Sequence, residues 1–160
     1  MGLHAETLFR ELCESKGWSC RPASRFENTV RHFDFVVRPW SLLPLQTDVA
    51  RVEVKAIKCP RRGARPDPTL IYVELKSVMG HKGWVFGEAD IVAFEQPNNS
   101  FLCVKREDLA RKSAELFPSA THASHSGVKG TLWSRPERQD LVLCMDRDTH
   151  VKTLDHVELK

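Results

Sequence analysis

The sequence predicts an α/β (α+β) single domain over residues 1–160, with a central mixed β-sheet flanked by helices. Three observations lead there. Apolar residues recur at helical spacing near the N-terminus, and a second helical stretch begins at Arg106. Between them lie short runs rich in Val, Ile and Phe, separated by Pro, Gly and Asn. A chain of 160 residues, 41% hydrophobic and 28% charged, suits one globular domain with a sizeable core.

The elements follow in order. Leu3 to Lys16 reads as a helix, because Leu8, Phe9, Leu12 and Cys13 share a face and Gly17 stops it. "WSCRPAS" is a short extended piece, and Arg25 to Arg31 is polar and loop-like. "HFDFVVRP" is a strand in which Phe33, Phe35 and Val37 alternate with His32, Asp34 and Val36. "DVARVEVKAIKC" is the next strand, ended by Pro60. "PRRGARPDP" is a turn or loop, and "LIYVELKSV" is another strand. If the loop between those two strands is a hairpin, they are neighbours. "MGHKGWVFGEAD" is Gly-rich. "DIVAFE" and "SFLCVKR" form a hairpin across "QPNN". "REDLARKSAELF" is a helix whose early acidic residues suit the dipole. "PSATHASHSG" is a loop, "LVLCM" a strand, and the tail "DTHVKTLDHVEL" a weak, fraying helix.

Composition excludes several function classes. A net charge of +3 permits nucleic-acid binding without arguing for it. Five cysteines, with no CxxC pair and mostly inside apolar runs, read as reduced, buried thiols. An intracellular protein is therefore expected, in cytoplasm or nucleus and not secreted. The N-terminal residues lack the apolar core of a signal peptide. No apolar run nears the roughly 20 residues that span a bilayer, so no membrane partner is expected. His122 and His125 lack cysteine partners at zinc spacing. A Walker-type loop and a nucleophile elbow are both missing.

Two near-copies carry the chemistry: "VEVK" at Val52–Lys55 and "VELK" at Val73–Lys76. Residues i and i+2 of a strand share a face, so Glu53 and Lys55 point together while Val52, Val54 and Ala56 enter the core. Asp34 lies on the preceding strand. If the two strands pair, Asp34, Glu53 and the Val54 carbonyl form a hard, oxygen-only site suited to Mg²⁺. Such an ion polarises a phosphodiester and lowers the pKa of an attacking water. Lys55 would orient that water or neutralise developing charge. Glu6 or Glu11 would add a carboxylate from the first helix. Glu53/Lys55 is preferred to Glu74/Lys76, because Asp34 is followed by Glu53 after one loop and by Glu74 only after a further strand. Lys58, Arg61, Arg62 and Arg65, with His81 and Lys82, supply cations for phosphates. Of these, Lys58, Arg61, Arg62 and Lys82 are the candidate nucleic-acid contacts. Trp84 and Phe86 read as core in preference to base-stacking residues.

The order helix-Glu, strand-Asp, strand-Glu-x-Lys resembles the PD-(D/E)xK nuclease superfamily, here through Glu6, Asp34, Glu53 and Lys55. Glu6 matches better than Glu11, because "ETLFRELCESKGW" looks like the first helix of resolvase-type members. Phe33 stands where many members have proline. The run from "VEVKAIK" through "YVELKSVMGHKGWVFGEADIVAFE" to "FLCVKREDL" is similar to small phage and viral proteins of the group. "LWSRPERQDLVLCM" fits their C-terminal strand. The resemblance implies a restriction-endonuclease-like core and a Mg²⁺-dependent DNA endonuclease, with Mn²⁺ substituting. Asp34, Glu53, Val54 and Glu6 would hold metal and a bound water, and cleavage would leave a 5′-phosphate. It also implies a phage- or virus-encoded protein. The small size favours branched DNA such as a Holliday junction, and a junction resolvase would be a homodimer with two symmetric sites. The alternatives are a non-catalytic nucleic-acid-binding or assembly protein of nuclease-like fold, and an RNA endonuclease.

Overall fold

The structure is a computed structural model and describes residues 2–160. In chain order the helices and strands are α1 (Gly2–Ser15), β1 (Ser19–Pro22), β2 (Phe35–Arg38), β3 (Ala50–Lys55), β4 (Leu70–Lys76), β5 (Ile91–Glu95), β6 (Phe101–Lys105), α2 (Arg106–Leu116), β7 (Thr121–His122), β8 (Thr131–Trp133), β9 (Leu141–Asp146) and β10 (His156–Leu159). Single π-helical turns occupy Glu27–Arg31 and Arg147–Val151. The α/β class holds. The strands, however, divide between two mixed sheets, ordered β1-β2-β3-β5-β6-β10 and β4-β9-β8-β7, where the sequence suggests one central sheet.

The chain resolves into two compact units. The first comprises Met1–Ala56, Gly87–Arg106 and Asp155–Lys160, and the second Ile57–Phe86 and Glu107–Leu154. In the first unit, Ala5, Phe9 and Cys13 recur four residues apart on α1 and are fully buried. They form one core with Ala50, Val52 and Val54 of β3 and with Ile91, Ala93, Phe101 and Cys103. Phe9 meets Phe35 at 5.8 Å and the edge of Phe101 at 5.3 Å. α1 ends in a Schellman arrangement: Trp18 N–H donates to the Cys13 carbonyl at 3.1 Å and Gly17 N–H to the Glu14 carbonyl at 2.9 Å. Gly17 takes φ +75°, which is why glycine stands there.

β3 is held on both edges. β2 pairs with it antiparallel, Phe35 opposite Val52, and β5 pairs with it parallel, Val52 opposite Ile91. The hairpin expected across "QPNN" is present as β5 and β6, with Glu95 opposite Phe101. All five cysteines are free thiols, four of them buried and Cys59 half-buried.

In the second unit β4 pairs with β9, and a register shift falls between Glu74 and Lys76. Gly83 lies so close to β4 that an added Cβ would stand 1.9 Å from the Glu74 carbonyl oxygen. A glycine is required there by close backbone approach rather than by an unusual turn. Leu70, Val142 and Cys144, with Tyr72 and Trp133, form an apolar cluster on this sheet. No helix among the described residues is long and apolar enough to cross a membrane.

Three expectations change. β3 and β4 are not hairpin neighbours, since they lie in different sheets. The observed strand of "HFDFVVRP" starts at Phe35, and His32, with φ 56°, closes the preceding turn instead of joining the strand. The tail is helical only in the single turn of Arg147–Val151, and its end does not fray: His156–Leu159 forms β10 on β6, with Leu159 opposite Phe101 and fully buried. The free edge of β6 selects extended backbone, which outweighs the weak helical pattern. Leu159→Ala is therefore expected to lower unfolding stability by about 2–5 kcal/mol in urea titration. A loss below about 0.5 kcal/mol would fit a frayed tail instead.

Candidate functional site

All four residues of the proposed constellation lie in the first unit. β3 presents Glu53 and Lys55 on the face opposite Val52 and Val54, as alternation requires. Glu53 is buried, 7% exposed. Its Oε1 accepts an ion pair from Lys55 Nζ. Its Oε2 is buried with no hydrogen-bond partner among the described residues. A buried carboxylate oxygen without a donor is costly, and native proteins rarely leave one so.

Asp34 lies one residue before β2. Its backbone N–H donates to the Val52 carbonyl at 2.8 Å, and its carbonyl accepts from Ala23 N–H at 2.8 Å. Continuing the Phe35–Val52 register by one step sets Asp34 beside Glu53. Its side chain is fixed by two donors: Val54 N–H to Oδ2 at 2.7 Å and Asn28 Nδ2 to Oδ1 at 2.6 Å. In an extended strand the N–H and C=O of one residue point to the same edge. The Val54 carbonyl is thus directed to the edge where Asp34 stands.

The electrostatics match crowded carboxylates. Burial raises the Asp34 carboxyl to about 6 and the Glu53 charge adds to the rise, against the Val54 N–H, Lys55 and Asn28. Glu6 is raised too, by burial first and then by the charge of Asp34, with Lys55 opposing. Glu6 therefore lies within the field of both Asp34 and Lys55. It is not a close third ligand: among the described residues no group of three or more His, Cys, Asp and Glu is spaced to hold a metal.

The donor set fits a hard divalent cation in part. Asp34, Glu53 and the Val54 carbonyl offer oxygen only, and the bare Glu53 Oε2 is the atom a cation would satisfy.

The remaining candidates belong to the second unit. Lys58 is exposed and its backbone bridges Asp67. Arg61, Arg62 and Arg65 are exposed on the following loop, and Lys82 is exposed on the Gly-rich loop. Trp84 is buried and Phe86 is 46% exposed, so the expected core role holds for Trp84 alone. Glu74 and Lys76 straddle the register shift of β4.

Sequence reading missed Asn28, placed in a polar loop. Its π-turn is fastened by Arg31, whose guanidinium pairs with Glu88 at 2.6 Å, while Glu88 N–H donates to the Arg31 carbonyl at 2.8 Å. Nothing in "RFENTVR" marks the asparagine as a partner of Asp34. No protein-family model, curated protein or solved structure matches the chain.

The raised Asp34 carboxyl has a stability consequence. A carboxyl that titrates higher folded than unfolded binds protons preferentially in the folded state, so stability falls as pH rises from about 4 to about 6. Ionised Asp34 then opposes folding at neutral pH. A rise from 3.8 to about 6 corresponds to roughly 3 kcal/mol, less about 1 kcal/mol for the hydrogen bond that asparagine would not accept. Asp34→Asn is expected to be more stable than wild type by roughly 1–2 kcal/mol at pH 7.5 in metal-free buffer, converging with it near pH 4. Denaturant titrations at the two pH values check this; equal or lower stability at pH 7.5 contradicts it.

Proposed function

We propose that the protein is a Mg²⁺-dependent DNA endonuclease that hydrolyses phosphodiester bonds, acts on branched DNA, and follows the PD-(D/E)xK plan. One observation carries the reading: Asp34 and the buried Glu53 converge beside Lys55, and Glu53 Oε2 has no partner among the described residues. A structural ion pair does not need a second, raised carboxyl pressed against it.

Asp34, Glu53 and the Val54 carbonyl would hold the ion. When bound, it supplies a Lewis-acid centre that polarises the phosphodiester and lowers the pKa of a water. Lys55, already pinned by Glu53, orients the attacking water and faces the charge that develops on phosphate. Glu6, in the field of Asp34 and Lys55, would accept a hydrogen bond from a metal-bound water. Asn28 and Val54 N–H keep the Asp34 carboxylate in one orientation, so little reorganisation is needed. Cleavage would leave a 5′-phosphate, Mn²⁺ would replace Mg²⁺, and a junction-cleaving form would act as a homodimer.

A second reading has its own support. The lack of three close ligands among the described residues suits a non-catalytic nucleic-acid-binding module of the same fold.

Cleavage of plasmid and synthetic four-way junction separates the two. Mg²⁺ or Mn²⁺ should support nicking and EDTA should stop it. Lys55→Ala and Glu53→Gln should lower the rate by roughly 10²–10³. Glu74→Gln should cleave at the wild-type rate. Binding without cleavage favours the module, and wild-type cleavage by Asp34→Asn ends the assignment. Metal binding has a separate readout. Mg²⁺ at 100-fold over its dissociation constant should stabilise wild type by about 2.7 kcal/mol and leave Asp34→Asn unchanged in a thermal melt.

A further inference from the structure

The Gly-rich stretch after β4 folds into a small closed arm. Lys76 and Lys82 are antiparallel bridge partners. Ser77 N–H donates to the His81 carbonyl at 2.9 Å, and Gly80 N–H to the Ser77 carbonyl at 2.9 Å. Gly80 turns the chain with φ +78°, and a side chain there would strike Gln139, whose Oε1 would be 2.0 Å away. The arm is thus a shaped turn and not a slack loop.

Two features of it work against the isolated protein. Lys76 and Lys82 are like charges directly opposite one another, a destabilising cross-strand pair. Both are exposed, and neither has an ion pair among the described residues. His81 adds a third exposed donor between them and the tip. At the tip, Met79 is 73% exposed and Val78 40% exposed. An apolar tip flanked by facing lysines is poorly suited to water alone. A phosphate between the lysines relieves their repulsion, and an unbranched methionine beside it slides against an unstacked base step.

We infer that the Lys76–Lys82 arm is a DNA-contacting wedge that reads backbone phosphate with Lys76 and Lys82 and senses a break in base stacking with Met79. The inference rests on the reading of the protein as a DNA-acting enzyme and adds what selects branched over continuous duplex. A membrane surface fits less well, because two apolar side chains bury too little area to anchor a protein.

Fluorescence anisotropy in EDTA tests binding apart from cleavage. The probes are a four-way DNA junction, a linear DNA duplex of equal length, the matched RNA junction and anionic phosphatidylserine vesicles. Lys76→Ala and Lys82→Ala should each weaken both DNA probes about three- to ten-fold at low salt and reduce the salt slope by about 0.9. Lys82→Arg should retain binding. Met79→Ala should keep the slope and lose several-fold of the preference for the junction. Melting temperatures of the lysine variants should stay level or rise, since a repulsion is removed. Wild-type affinity and slope in both lysine variants would overturn the wedge while leaving cleavage as the measure of the enzyme. Loss of cleavage by wild type with arm-dependent binding intact would overturn the enzyme and keep the wedge. Tighter binding to the RNA junction or to vesicles than to the DNA junction would overturn the assignment of partner.

Discussion

β3 is paired on both edges, and its Ala50, Val52 and Val54 face is buried in the core while Arg51 and Lys55 on the other face stay half-buried. Its even-numbered residues, Val52 and Val54, pack under α1. Its odd-numbered Glu53 is buried on the other face, where a charge is tolerated only with a partner. Lys55 supplies half of that compensation and leaves Oε2 bare. Asp34 then adds negative charge rather than removing it; burial first, and the Glu53 charge second, raise its carboxyl. The surrounding geometry reads as an arrangement that holds charge in place: Val54 N–H, Asn28 and the Arg31–Glu88 clasp all fix a group that opposes folding at neutral pH.

The second unit answers a different constraint. Its sheet brings β4 and β9 together, and its loops close tightly on them. Gly83 allows the backbone to lie against Glu74, and Gly127 lies close to Pro60, where an added Cβ would stand 2.6 Å away. Lys129 reaches Asp146 at 2.8 Å and also pairs with Asp67, tying the loop before β8 to the ends of β9 and β4. Here charges are matched locally. The facing lysines of the arm contrast with those matched pairs.

Much of the first unit was legible because its signals are local. α1 shows a four-residue apolar spacing closed by a glycine, and β3 shows strict alternation with Glu53 and Lys55 on one side. The hairpin of β5 and β6 announces itself through "QPNN". Other features depended on distant partners. β10 has a weak helical pattern and becomes a strand because β6 offers an open edge. "VEVK" and "VELK" look like siblings, yet one is buried beside Asp34 and the other straddles a register shift in another sheet. Asn28 was illegible, because an asparagine in a polar turn carries no mark of the carboxylate it will meet.

The sequence by itself determined the α/β class, most element positions and the alternation that sets Glu53 and Lys55 on one face. Those follow from periodicities of 3.6 and 2 residues, which any local window contains. Tertiary structure alone decided that Asp34 stands against Glu53, that Glu6 lies in the field of Asp34 and Lys55, and that Lys76 meets Lys82. Each of those depends on strand order, register and loop closure, and these are settled by the whole chain burying its apolar faces together.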